Sequence, residues 1–253
     1  AYSTIANIKN TLGAVFKQAK KDGYIKTNPC HDIEIPKDKD ADDPEPRPFS
    51  LKERKALEEV FMKTYPRYFA LVFTGFRTGL RIGELIGLNV TDLNYIDACI
   101  EVRNNVTRGR STTPKSKTSK RKVRMTDELK IILKKQLSAV KKESLKKKWE
   151  HLPKWAFVNE VGDHINYGNF IHRIWNEAIK KAEISHHTPH DMRHTYATMR
   201  LSLGHPIHEV AKELGHSSPV ITYKTYYKFI PNDCISNINE LDKLPGKESV
   251  KNK

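Results

Sequence analysis

The chain has 253 residues, 38% hydrophobic and 30% charged, enough length and apolar content to bury a core of enzymatic size. Its 45 Lys and Arg against 30 Asp and Glu leave a net charge of +15, which makes a polyanion such as nucleic acid the first partner to consider. No apolar run approaches the roughly 18 residues of a membrane helix, and Cys30, Cys99 and Cys234 are scattered without CxxC spacing, which argues against structural zinc and for a reducing compartment.

In chain order, residues 3–22 carry Ile5, Ile8, Leu12, Val15, Phe16 and Ala19 at three- and four-residue spacing, which predicts a helix with one apolar stripe that needs a partner surface. The chain begins in this helix without a starting Met or a signal-peptide core, so a fragment of a longer intracellular protein is expected. Residues 35–49, IPKDKDADDPEPRPF, break the periodicity with four prolines among acidic residues and read as a linker. Ser50 to Glu53 is a capping box, and a second domain is expected to start there.

Helical segments are predicted over 66–77 and 81–88, then short strands at 98–102 and 122–125. Between the strands lies a tongue, TRGRSTTPKSKTSKRKVRM (107–125), with eight Lys or Arg and no acid. It cannot pack a core, and its interleaved hydroxyls suit an arm laid on phosphates. Arg108, Arg110, Lys117, Lys120 and Arg121 are its expected DNA contacts. Helices follow at 126–148, 167–182, 190–203, 207–214 and 219–229, the last opened by Ser218 as cap and Pro219 at the first helical position. The predicted class is mainly α with a small antiparallel β-sheet (α+β).

Three short patterns carry chemistry. In TGFRTGLRIGELIGL (74–88), Arg81 stands at a helix start among apolar neighbours Leu80, Ile82 and Leu85, a positioned Arg. In TPHDMRHTYATMR (188–200), His190 and Arg193 lie three apart and share a helix face, with His194 off to the side. An Arg fork and a group that titrates near neutrality suit phosphate chemistry. His190 and His194 also have a metal-ligand spacing, but the Glu of an HExxH site is missing between them. In HSSPVITYKTYYKF (216–229), helical geometry alone does not choose among Tyr223, Tyr226 and Tyr227.

Together TGLRIGEL around Arg81, the PKSKTSKRKVRM hairpin, HDMRHTYAT, ELGHSSP around His216, and a Tyr ten residues after that His resemble the tyrosine recombinases, and most of all the integrases of phages and conjugative transposons. The resemblance spans roughly residues 50–230. It implies a tyrosine-recombinase-type catalytic domain at 50–230, preceded at 1–34 by the end of a helical core-binding domain and the linker, and followed at 231–253 by a tail helix that packs in cis or, as favoured by the resemblance, docks on a neighbouring protomer. It implies that Arg81 and Arg193 grip the scissile phosphate and that His190 and His216 handle protons. Lys115, with Lys117 as the alternative, would protonate the leaving 5′-hydroxyl. Tyr226 would be the nucleophile, with Tyr223 a packing residue and Tyr227 the fallback. The implied activity is cutting and rejoining of double-stranded DNA at specific recombination sites through a 3′-phosphotyrosyl link. It would proceed without metal, ATP or another cofactor, in a homo-oligomer, a tetramer on two duplexes, in the bacterial cytoplasm near the nucleoid and away from membranes. A non-catalytic DNA-binding protein and a relaxing type IB topoisomerase are the alternative readings.

Overall fold

The structure, a computed structural model, describes residues 2–35, 46–107, 110–112 and 120–230. The chain forms two compact units, Ala1–Glu45 and Pro46–Lys253.

The first unit is built on α1 (Tyr2–Lys21). The helix ends at Gly23, whose left-handed φ of 79° turns the chain back, and the following loop is pinned when the Asn28 side chain donates to the Gly13 carbonyl at 3.1 Å. Cys30 is buried here, whereas Ile5, Ile8, Leu12 and Val15 of the expected stripe are exposed. Within the described residues of this unit the stripe is uncovered.

In the second unit the first core residue is Phe49, followed by α2 (Leu51–Thr64). The predicted capping box is present: the Glu53 amide donates to Ser50 Oγ at 3.2 Å and the Ser50 amide to Glu53 Oε2 at 2.9 Å. Helix α3 (Pro66–Thr78) begins on a proline and stops at Gly79. It is followed by α4 (Ile82–Ile86), shorter than the periodicity predicts because Gly87 caps it, and then by a 3-10 turn at Val90–Asp92 before the sheet. Strands β1 (Leu93–Asn94), β2 (Cys99–Val102) and β5 (Arg121–Arg124) form an antiparallel sheet in the order β1-β2-β5, with Cys99 opposite Arg124 and Val102 opposite Arg121. Strands β3 (Asn105–Thr107) and β4 (Arg110–Thr112) pair as a separate ribbon that leads into the predicted tongue.

Helix α5 (Asp127–Lys147), capped by the Thr126 hydroxyl, precedes α6 (Tyr167–Asn169), which runs through a π turn at Phe170–Trp175 into α7 (Asn176–Lys181). Then come α8 (Asp191–Ser202), α9 (Ile207–Leu214) and α10 (Pro219–Tyr226), with a 3-10 turn over Tyr227–Phe229. The last predicted helix therefore ends as an α-helix at Tyr226, three residues early.

Among the described residues two hydrophobic cores result. The larger gathers α2 to α5, the sheet and the α6–α7 segment around Leu57, Phe61, Phe76 and Trp175. The smaller is built by α8, α9 and α10 from Tyr196, Ala197, Leu201, Val210, Leu214 and Tyr226. Among the described residues no helix is long and apolar enough to cross a membrane.

Candidate active site

Each expected site residue in the described part of the chain is held by a local feature of the backbone. Arg81 is the N-cap of α4, where its amide donates to Glu84 Oε2 at 2.8 Å and its guanidinium reaches Glu84 Oε1 at 3.1 Å, while the side chain stays 41% exposed. Glu84 is buried, and its carboxylate also takes a two-pronged pair from Arg121, Nη1 to Oε1 at 2.9 Å and Nη2 to Oε2 at 2.8 Å. Burial alone would raise the Glu84 pKa, but the bonds from Arg121 and Arg81 outweigh it and hold the carboxyl below its ordinary value.

Arg193 lies on α8 with 2% of its surface exposed. Its Nη1 donates to the Gly79 carbonyl at 3.0 Å, and its buried Nη2 has no hydrogen-bond partner among the described residues. Gly79 must be glycine for this contact. Its φ is +61°, and a Cβ there would sit 2.5 Å from Tyr196 Cδ1. Burial first, and then the neighbouring Arg81, bring the Arg193 pKa down to about 9. A guanidinium in this state favours an anion at its open donor.

His190 is the N-cap residue of α8 and keeps an exposed edge. Surrounding protein, then Arg193 and Arg81, lower its pKa. His216 follows Gly215, whose left-handed φ of 70° ends α9. Its Nδ1 lies 2.6 Å from Thr222 Oγ1, and burial with Arg193, Arg81 and Arg121 lowers its pKa to about 4. The same two arginines, Arg193 and Arg81, depress both imidazoles.

Of the three tyrosines, Tyr226 is buried at 2%, whereas Tyr223 and Tyr227 are about half exposed. The expectation that Tyr223 packs inside is corrected: its ring lies against that of Tyr227, centroids 6.1 Å apart, on the outer side of α10. Buried Thr222 and Tyr226, four residues apart, form the inner side of that helix. Burial raises the Tyr226 pKa to about 12, with Arg193 opposing the rise.

The tongue residues divide. Lys115, Lys117 and Arg108 lie outside the described residues, and of Arg110 only the backbone, in β4, is described. Lys120 is exposed beside a cleft of about 720 Å³ that also takes in Lys122, Lys212 and His216. Arg121 also lines the cleft but is itself buried. The alternation of β5 turns Arg121 and Val123 inward and Lys122 and Arg124 outward, and Arg121 is clamped between Glu84 and the Glu213 carbonyl.

The sequence reading passed over His194. Its Nδ1 lies 2.7 Å from the Tyr226 hydroxyl, and its ring meets the His190 ring edge to face at 4.9 Å. The i, i+4 spacing of the two histidines was visible, but not the docking of α10 onto α8 that brings Tyr226 to His194.

Comparison with known proteins finds relatives of the chain. Residues 54–231 match the phage integrase family. The chain is 30% identical to a XerC-like tyrosine recombinase of Caldanaerobacter subterraneus over 95% of this chain and 66% of that protein. It is 25% identical to the transposase from transposon Tn916 of Enterococcus faecalis over 99% of this chain and 64% of the transposase, so it spans just under two thirds of the length of these curated relatives. Among solved structures, the Tn1549 transposon integrase in complex with circular intermediate DNA aligns at a TM-score of 0.67 and 25% identity, covering 89% of this chain and 75% of that one. A lambda integrase dimer bound to a core site shares the fold at a TM-score of 0.60 and 16% identity, covering 86% of this chain and 71% of that one.

Proposed function

This chain belongs to the phage integrase family, and from that premise we propose that it is a site-specific DNA recombinase of a mobile genetic element, cutting and rejoining strands through a tyrosine. The observation that carries the reading is the buried Arg193, with an open donor and no carboxylate within salt-bridge distance among the described residues, in one cluster with Arg81, His190, His216 and the buried Tyr226. Arg193, with no anionic partner among the described residues, and the half-exposed Arg81, which already shares Glu84, suit a phosphodiester, whose charge grows in the transition state.

In the proposed reaction Tyr226 Oη attacks the scissile phosphorus. The Tyr226 oxygen–phosphorus bond forms, the phosphorus–O5′ bond breaks, the phenol gives up its proton and the leaving 5′-oxygen gains one. Arg81 and Arg193 hold the non-bridging oxygens, His190 is the acid/base, His216 adds a hydrogen bond, and Lys115, or Lys117, protonates the 5′-oxygen. A phenol pushed up to about 12 is a weak nucleophile in the resting protein, so loading of the phosphate onto the arginines has to precede proton loss. The phosphotyrosyl link keeps the energy of the broken diester, so religation needs neither metal nor ATP.

Double-stranded DNA would lie along the basic cleft, with Lys120 and the tongue residues Arg108, Arg110 and Lys117 on the backbone. The DNA complexes of the Tn1549 integrase support this partner. Residues 1–34 would be the end of a core-binding domain and 50–230 the catalytic domain, working as a tetramer on two duplexes in the bacterial cytoplasm near the nucleoid; the expected tail helix at 231–253 lies outside the described residues. The test is incubation with a nicked duplex selected by the protein from a randomised pool, followed by denaturing electrophoresis. A covalent protein–DNA species is expected from the wild type and none from Tyr226→Phe, with binding retained. Absence of any such species on selected DNA sinks the enzymatic reading.

A further inference from the structure

His194 has a place in this cluster that neither the sequence pattern nor the proposed roles use. Its contact with Tyr226 is the one hydrogen bond of the Tyr226 hydroxyl among the described residues. The polarity of that bond follows from burial. If His194 donated, the phenol proton would be shut in the interior without an acceptor, which costs more than an unused lone pair. The hydroxyl therefore donates, and the imidazole accepts at Nδ1 and carries its own proton on Nε2. His194 stays neutral to do so, since burial and the adjacent His190 lower its pKa to about 4. With the phenol at about 12, the resting proton stays on Tyr226, so the contact orients the hydroxyl rather than ionising it.

We propose that His194 is a positioning residue for the nucleophile: it takes the hydroxyl hydrogen bond, so that the Tyr226 oxygen faces the phosphate site with its lone pairs unengaged. The inference rests on the reading of Tyr226 as nucleophile. Arg193 and His194 are consecutive on α8, so one rigid helix fixes both the grip on the phosphate and the hold on the attacking oxygen, and their separation is set by backbone geometry. A second contact supports the arrangement. Thr222, one turn before Tyr226, is held by His216 at 2.6 Å, so the inner side of α10 is fixed by two imidazoles from two different elements.

The test compares the full chain with His194→Phe, which keeps a ring and removes the acceptor, and with His194→Asn, whose Oδ1 can take the place of Nδ1. Rates of covalent adduct formation are measured at saturating concentration of the same selected nicked duplex, with Kd from filter binding. His194→Phe is expected to slow adduct formation by about tenfold to a hundredfold with Kd unchanged within about twofold, and His194→Asn to recover most of the loss. Phe cleaving within about threefold of wild type, or Asn no better than Phe, overturns the inference. A readout that needs no DNA separates this failure from failure of the recombinase reading. In 15N-histidine spectra, His194 should show an unprotonated Nδ1 that shifts in Tyr226→Phe. A protonated Nδ1, or no shift, overturns the positioning role even if the wild type forms no adduct.

Discussion

At the scale of the residue, the site sets function against stability. Arg193 is buried with an open donor and a pKa brought down to about 9, so the folded protein carries an uncompensated charge that only a bound anion would relieve. A buried charge without a counter-ion costs folding free energy that an apolar side chain of similar volume does not. Arg193→Met is therefore expected to abolish adduct formation while leaving the melting temperature equal to or above that of the wild type. A melting temperature lowered by several degrees would show that the Gly79 contact outweighs the buried charge, and would contradict this account of Arg193.

At the scale of the element, short turns and one carboxylate do the placing. Glu84 joins the start of α4, which carries Arg81, to β5 and so to the end of α9 before His216. Glu84→Gln removes the charge and leaves Arg121 buried without its anion, so urea unfolding should show a loss of about 3 kcal/mol. The bond also fixes a pH dependence. A carboxyl whose folded pKa lies below its unfolded value near 4.3 contributes stability that is present above that value and lost as pH falls through the folded pKa. The acid limb of the stability profile below about pH 4 should thus be shallower in Glu84→Gln. Gly79→Ala tests the other anchor. The left-handed φ and the 2.5 Å approach to Tyr196 predict a loss of about 2 kcal/mol or more, together with weakened cleavage, because the carbonyl that holds Arg193 has to move.

Elements also explain what could be read in advance. Ser50, Pro66, Thr126 and Ser218 begin helices where their chemistry says they should, because caps are local and a sequence states them directly. Arg121 was harder: composition placed it with the basic tongue, and only the inward alternation shared with Val123 separates it from Lys122 and Arg124. Tyr223 and His194 depend on how α10 docks on α8 across 32 residues of sequence from His194 to Tyr226, and no local pattern encodes that contact. The positions of Arg81, His190, Arg193, His216 and Tyr226 were legible as motifs; their burial and hydrogen bonds were not.

At the scale of the whole molecule, a chain of charge +15 keeps neutral imidazoles in a cluster dominated by arginines. His194 and His216 both have folded pKa values of about 4 against an ordinary 6.5. Between these values the unfolded chain binds the protons and the folded one does not. Stability is therefore full above about pH 6.5 and falls as pH drops to about 4, by on the order of 1 kcal/mol per histidine after allowance for partial exposure. Thermal melts at pH 7 and pH 5 should show the loss, and a His194→Asn, His216→Asn double variant should show less of it. The same excess charge predicts binding to DNA that weakens steeply with salt.

The most direct test of the whole account is to trap the covalent protein–DNA species on a nicked duplex, digest it, and identify the DNA-linked peptide by mass spectrometry. The account predicts one modified residue, Tyr226, joined to a 3′-phosphate. Linkage at Tyr227 or Tyr223, or at a 5′-phosphate, would contradict it.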